Sequence, residues 1–172
     1  NRAAYWSDGY TRTSYDGLGR VAQETATAGS LCPTTVAGVT TTTYTYDANH
    51  SASNRSRGQL TEVNQAGVYK RNLYYNAKGQ LASERMWISG GPSPWYNSYT
   101  YDAYDRPSST IYPDGDVVTV GGYDSQGRPT TLVSVLNGQT KTLVSNVRYD
   151  AAGRLVQARY EENIWVTHSY YP

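Results

Sequence analysis

Apolar and polar residues alternate along most of the chain in short runs that end at turn-forming residues. Alternation with a period of two is typical of half-buried β-strands, and no segment shows the helical period. Five of the predicted strands are Val39 to Tyr46, Gln80 to Ile88, Asp116 to Tyr123, Gln139 to Tyr149 and Ile164 to Tyr171. The pattern predicts an all-β chain of about a dozen consecutive antiparallel strands. Because neighbouring strands twist, we expect a twisted strip or spiral.

A seven-residue motif of the form Tyr-Asp-x-x-Gly-Arg-Leu recurs along the chain. Five copies begin at Tyr15, Tyr75, Tyr101, Tyr123 and Tyr149, and an interrupted sixth begins at Tyr46. The Asp or Asn positions are separated by 31, 29, 26, 22 and 26 residues, a period that suits two strands and two turns. We therefore interpret residues 1–172 as a single array of about six repeats, taken from a longer chain, with residues 48–57 as a polar loop insertion.

Each copy predicts the tip of a β-hairpin. Asp or Asn at the start of the turn can bond the turn amides, and Gly at the fourth position accepts a positive φ. The structural motif residues are Tyr15, Asp16, Gly19, Arg20, Tyr46, Asp47, Gly58, Tyr75, Asn76, Gly79, Gln80, Tyr101, Asp102, Asp105, Arg106, Tyr123, Asp124, Gly127, Arg128, Tyr149, Asp150, Gly153 and Arg154.

The hairpin geometry predicts specific cross-strand pairs. Asp16 is expected opposite Arg20 and Tyr15 opposite Val21, with the charged and apolar pairs on opposite faces of the sheet. In one copy Asn76 replaces Asp and Gln80 replaces Arg, so both charges disappear together, as a direct pairing favours.

A second set of turn signals falls between the motif copies. These are Asp8-Gly9, Ala28-Gly29, Ala66-Gly67, Gly90-Gly91-Pro92, Asp114-Gly115, Asn137-Gly138 and Glu162-Asn163. The two sets together predict a meander in which each strand pairs with its neighbour in sequence.

Composition narrows the class of protein. With 172 residues, 18 Tyr, 4 Trp and no Phe, the chain is too rich in aromatic residues for a disordered protein. A net charge of +1 provides no field for nucleic acid, and no stretch has the apolar length of a membrane span. We expect no nucleic-acid partner and no membrane-spanning segment.

The residues provide no recognisable catalytic or metal-binding constellation. The repeated Asp and Arg are interpreted as turn caps and cross-strand pairs, and His50, His168 and Cys32 have no ligand or nucleophile spacing. Asp114-Gly115-Asp116 is only a fragment of a calcium loop. We predict no catalytic residue, no metal and no cofactor, and therefore no enzyme.

An aromatic cluster flanks the turn at residues 90–94. Trp87, Trp95, Tyr96 and Tyr99 either pack the sheet, which the composition favours, or stack on sugars as a glycan-binding surface. Long sheet edges also need covering, so further repeats of the same or a neighbouring chain are expected partners.

The motif resembles the YD repeat of the Rhs family, and Tyr112-Pro113-Asp114-Gly115 is similar to a turn that often precedes a copy there. The resemblance covers residues from about 5 to the end. It implies a secreted or cell-surface protein, bacterial in the polymorphic and Tc toxins, with teneurin-like and wall-associated relatives. In the toxins such repeats form a β-cocoon around a C-terminal toxin domain. The leading hypothesis is a structural shell segment that encloses and delivers a toxin or effector. The alternative is an adhesin or fibre that binds cell-surface glycans or self-associates through β edges.

Overall fold

The structure is a computed structural model that describes residues 2–6, 9–28, 39–92 and 94–171. The described residues are almost entirely β-strands and turns, and they form two compact units, Asn1–Tyr96 and Asn97–Pro172. The all-β fold class predicted from the sequence pattern is confirmed. Asp8, Gly29 and Cys32, which entered the sequence predictions, lie outside the described residues.

The first unit is a meander of antiparallel strands. Its strands are β1 (Arg2–Trp6), β2 (Gly9–Tyr15), β3 (Val21–Ala28), β4 (Val39–Tyr46), β5 (Leu60–Gln65), β6 (Tyr69–Tyr75) and β7 (Leu81–Ile88). Each strand pairs with the next one in sequence. This order is what alternating turn signals predict.

The second unit repeats the same arrangement. It contains most of β8 (Trp95–Tyr101), followed by β9 (Pro107–Ile111), β10 (Val117–Tyr123), β11 (Pro129–Leu136), β12 (Gln139–Tyr149), β13 (Leu155–Tyr160) and β14 (Ile164–Thr167). Consecutive strands again pair antiparallel. A single 3-10 turn, Glu161–Asn163, separates β13 from β14.

The predicted strands agree closely with the observed ones. β4 and β12 have the predicted bounds, whereas β14 ends at Thr167, before the predicted end at Tyr171. The cross-strand register pairs Tyr15 with Val21 as predicted, and the equivalent Tyr–Leu pairs form in two other copies. A register shift precedes each of these pairs, which marks a bulge beside the turn.

Apolar burial is sparse in both units. Over residues 11–26, 39–92 and 94–171, Leu73 and Ala158 are the only buried apolar side chains, while most strand positions are half-buried. Ser56 and Glu84 are polar and nonetheless buried. Cross-strand and turn contacts therefore carry much of the local stabilisation, since a large apolar core is missing from the described part of the chain.

Candidate functional site

The repeated hairpin tips are the most regular chemical feature of the molecule. In the first copy the Gly19 amide donates to the Asp16 carbonyl at 3.0 Å, and Gly19 has a φ of 78°. One oxygen of the Asp16 carboxylate accepts the amides of Leu18 and Arg20, and the other accepts the Arg20 Nε at 2.7 Å. This is the turn and the Asp–Arg pair that the sequence predicts.

The same pair is present in three further copies. The Nε–Oδ2 distance is 2.7 Å in Arg106–Asp102, Arg128–Asp124 and Arg154–Asp150. In the copy without charges, the side-chain Nδ2 of Asn76 donates to the side-chain oxygen of Gln80 at 2.8 Å. The Asn–Gln pair therefore joins the same two positions as the Asp–Arg pair, but the turn residue is now the donor and neither side chain carries a formal charge.

Hydrogen bonds to the carboxylates lower their pKa values. The backbone amide of Arg20, followed by its side chain, holds the pKa of Asp16 below its ordinary value of 3.8, and Asp150 shows the same pattern with Arg154. The pKa of Asp102 is lowered first by the Arg106 side chain and that of Asp124 first by the Arg128 amide. These aspartates are charged at neutral pH and act as acceptors in the turns.

Two copies depart from the standard tip. In the copy that begins at Tyr101, Asp105 occupies the glycine position and has a φ of 64°, a conformation that Asp tolerates better than most residues. In the interrupted copy the amide of Gly58, across the insertion, donates to the Asp47 carboxylate, and this contact lowers the pKa of Asp47. The interruption therefore lengthens the turn without losing its cap.

Contacts between successive copies form a second regular feature, which the sequence analysis missed. The guanidinium carbon of each motif Arg lies over the ring of the Tyr that begins the next copy or, for the last copy, over Tyr170, which follows β14. The distances to the ring centroids are 4.2 Å for Arg20–Tyr46, 3.6 Å for Arg106–Tyr123, 4.4 Å for Arg128–Tyr149 and 4.6 Å for Arg154–Tyr170. We call this arrangement the Arg–Tyr junction.

The tyrosine hydroxyl completes the junction. It donates to the backbone carbonyl of the residue that follows the motif's Arg or Gln position. The bonds are Tyr46 to Val21 at 3.0 Å, Tyr75 to Leu60 at 2.6 Å, Tyr149 to Pro129 at 2.8 Å, Tyr170 to Leu155 at 2.8 Å, and Tyr123 to Pro107. Each junction therefore fixes one hairpin tip against the next.

The junction adds a contact that the predicted pairs within each hairpin do not include. The expected separation of charged and apolar pairs onto opposite faces concerns a single hairpin and stays a prediction; between copies, the guanidinium lies over the next aromatic ring. A signal was present in the spacing: Asp114-Gly115 lies midway between Arg106 and Tyr123, so the second turn brings them to the same end of neighbouring strands.

An arginine side chain lies against part of the aromatic cluster that is predicted as a possible glycan contact. The Arg85 guanidinium carbon lies 4.2 Å from the Trp87 ring centroid and 5.0 Å from that of Tyr96. Trp95 is 39% exposed and Tyr96 50% exposed, whereas Tyr99 is half-buried. A glycan contact at these four residues stays a prediction.

Over residues 2–6, 9–28, 39–92 and 94–171, His, Cys, Asp and Glu form no group of three that could hold a metal ion. No helix in this described part of the chain is long and apolar enough to span a membrane. His50 lies in the insertion and His168 follows the last strand.

The fold and the tips together define an all-β strip of hairpin repeats. No family model matches the chain. No curated protein matches it by sequence either. The strip is similar in fold to solved Tc toxin structures at low sequence identity.

Three such structures cover nearly all of this chain. The TcdB2-TccC3-Cdc42 crystal structure is 19% identical with a TM-score of 0.65, and the match covers 92% of this chain and 8% of that one. TcdB2-TccC3 without its hypervariable C-terminal region is 14% identical with a TM-score of 0.64, and the match covers 95% of this chain and 9% of that one. The Photorhabdus luminescens Tc holotoxin pore is 18% identical with a TM-score of 0.64, and the match covers 92% of this chain and 8% of that one. This chain therefore spans less than a tenth of the length of each of these three chains.

Proposed function

We propose that this chain is a structural segment of a β-walled shell that encloses a C-terminal toxin or effector domain and helps to deliver it. The observation that carries the proposal is the TM-score of 0.65 over 92% of this chain to a TcdB2-TccC3 complex. The YD-like motif is a second line of support. At 19% identity the structural match reflects the fold, so the motif and the fold are separate observations.

The geometry of the repeats suits a wall. Within each unit, successive hairpin tips contact one another through Arg–Tyr junctions, or through the tyrosine hydrogen bond alone at Tyr75. Such nearest-neighbour contacts stabilise a repeat array and allow it to be extended by adding copies. Sparse apolar burial favours completion by further repeats of the same or a neighbouring chain. We propose those repeats, together with the enclosed domain, as the partners of this segment.

Such a wall would act by steric exclusion. It needs no catalytic group, no metal and no cofactor, and we propose that the segment itself has no enzymatic activity. A secreted or cell-surface location, in a bacterium, follows from this role and belongs to the same proposal.

The first test is the mass of the native chain that carries these repeats, before and after mild proteolysis. We expect a much larger chain whose repeat block resists the protease and protects a C-terminal segment. The matched control is the same digestion after unfolding in urea, where the protection should disappear. A native chain of this length, or repeats that protect no other segment, would overturn the proposal.

A second candidate function is a surface adhesin that binds glycans. The observation that favours it is a groove of about 460 Å³ in the first unit, where Trp87 and Tyr69 lie beside Asn64 and Gln65. Aromatic faces beside amide groups can hold a sugar by stacking and hydrogen bonding.

Tryptophan fluorescence during titration with cell-wall glycans tests this candidate. A shift that is lost in Trp87→Leu and retained in the control Trp165→Leu would support it, because Trp165 is an exposed tryptophan that lies in the second unit, away from the groove. Absence of a shift across a broad glycan panel would exclude it.

A further inference from the structure

The polar insertion at residues 48–57 helps to form a concavity of about 660 Å³ in the first unit. Its charged and polar lining consists of His50, Ser51, Arg55, Arg57, Gln59 and Lys78. All of the lining residues fall in the described part of the chain, and none of them is Asp or Glu. The concavity is therefore a concentrated positive site in a chain whose net charge is only +1.

The loop that carries the arginines is fixed by its own hydrogen bonds. Ser56 is fully buried, and its hydroxyl donates to the Ala48 carbonyl at 2.8 Å. The Asn54 side-chain oxygen accepts the Tyr75 amide at 3.0 Å. Satisfied polar groups at both ends of the loop pre-organise it, which lowers the entropic cost of binding a ligand.

The loop is also attached to the neighbouring hairpin tip. The Arg55 amide donates to the Asn76 carbonyl at 3.2 Å, and the same tip carries Lys78. The fold therefore brings two arginines of the insertion and one lysine of the next copy, which are more than twenty residues apart, to one concavity.

The adjacent tip lacks the carboxylate that the other copies contain. Where they have Asp, this copy has Asn76, whose side-chain oxygen caps the turn by accepting the Lys78 and Gln80 amides at 2.9 and 3.0 Å. In the other tips the carboxylate neutralises an arginine, for example Asp124 with Arg128. Here the turn is preserved and Gln80 stands in place of the arginine, so the tip carries neither charge and places no carboxylate beside the basic lining.

We propose that this concavity binds a compact polyanion that carries at least two phosphate or sulfate groups. The arginine fork matches tetrahedral oxyanions and can bind them bidentately, and Lys78 adds a point charge. Because the cations surround one concavity and do not follow one strand, a compact ligand fits better than an extended acidic peptide. The site goes beyond the shell role and is independent of it.

Calorimetric titration of the full chain with inorganic tripolyphosphate tests the site. We expect saturable binding that weakens with added salt, and a loss of about tenfold in affinity for each of Arg55→Gln, Arg57→Gln and Lys78→Gln. Arg148→Gln, an exposed arginine in the second unit, is the matched control and should change the affinity less than about twofold.

Asn76→Asp provides a second variant that keeps the turn. Asp caps the same turn in other copies, and the Gln80 amide can rotate to donate to it, so the fold should persist while the added charge weakens binding. A sulfated oligosaccharide titrated in parallel distinguishes the source of the anionic groups: tighter binding than tripolyphosphate assigns sulfate, and weaker binding assigns phosphate.

Three results would overturn the proposal. These are undetectable binding of both probes, equal losses in Arg148→Gln and in the concavity variants, and equal binding of an oligoglutamate with the same net charge. The last result would identify a general electrostatic surface for acidic peptides. Circular dichroism of each variant verifies that the sheet is retained, so a loss of binding is not mistaken for unfolding.

Discussion

The junction between the last two motif copies allows its hydrogen bond to be separated from its ring contact. Tyr149 donates to the Pro129 carbonyl at 2.8 Å, and its ring lies 4.4 Å from the Arg128 guanidinium carbon. Tyr149→Phe removes only the hydrogen bond. Tyr149→Leu removes the bond and the aromatic face together.

The magnitudes follow from the two contacts. A net hydrogen bond contributes about 1 kcal/mol, and a partly exposed cation–π contact contributes about 0.5 to 1 kcal/mol. We expect Tyr149→Phe to lower the free energy of unfolding by about 1 kcal/mol and Tyr149→Leu by about 2 kcal/mol. For a chain of this length, the smaller change lowers the Tm by about 2 to 4 °C.

The assay is urea unfolding of the full chain with tryptophan fluorescence, together with hydrogen exchange at the Asp150 to Gly153 amides. Exchange gives a local measure, because a repeat array need not unfold in a single step. Tyr160→Phe is the matched control: Tyr160 is 41% exposed and lies outside the junctions. The reasoning fails if Tyr149→Phe behaves like this control, or if Phe and Leu at position 149 are equivalent.

Other predictions concern the tips. Gly153 has a φ of 80°, so Gly153→Val should destabilise the chain by at least about 1 to 2 kcal/mol, whereas Gly17→Ala, with open space around its Cβ position and no positive φ, should cost less in the same urea assay. Unchanged stability of the valine variant would contradict the turn assignment. The pKa values of the turn aspartates lie below the ordinary value of 3.8, so the folded state binds fewer protons than the unfolded state around and below that pH. Their contribution should be complete above that pH and disappear as the pH falls through the folded pKa values; acid titration of tip amide shifts by NMR should show this at Asp124 and not at Asn76. Asn76→Asp with Gln80→Arg should keep the tip folded, with an Asp–Arg pair detectable as a lowered pKa at position 76; an ordinary pKa there would refute the pairing.

Much of the local structure could be predicted because it depends on residues close in sequence. The Asp–x–x–Gly–Arg spacing places a cap, a positive-φ residue and a cross-strand partner within five residues, and Asp16–Arg20 has that geometry. The Asn76–Gln80 substitution was informative for the same reason, since both members of the pair change together. Strand bounds such as those of β4 and β12 follow from the alternation between turns.

Contacts between copies depend on how strands associate, and these needed the tertiary structure. The Arg128–Tyr149 stack depends on the register of β11 with β12 and on the bulges beside the tips, which period-two alternation does not encode. The basic concavity likewise arises where the insertion is bonded to the tip of the following hairpin, bringing Arg55 to the copy that carries Lys78. The turns and the pairs within each hairpin could be predicted because those interactions are local. The junctions and the charged concavity could not, because strand register sets which distant side chains become neighbours.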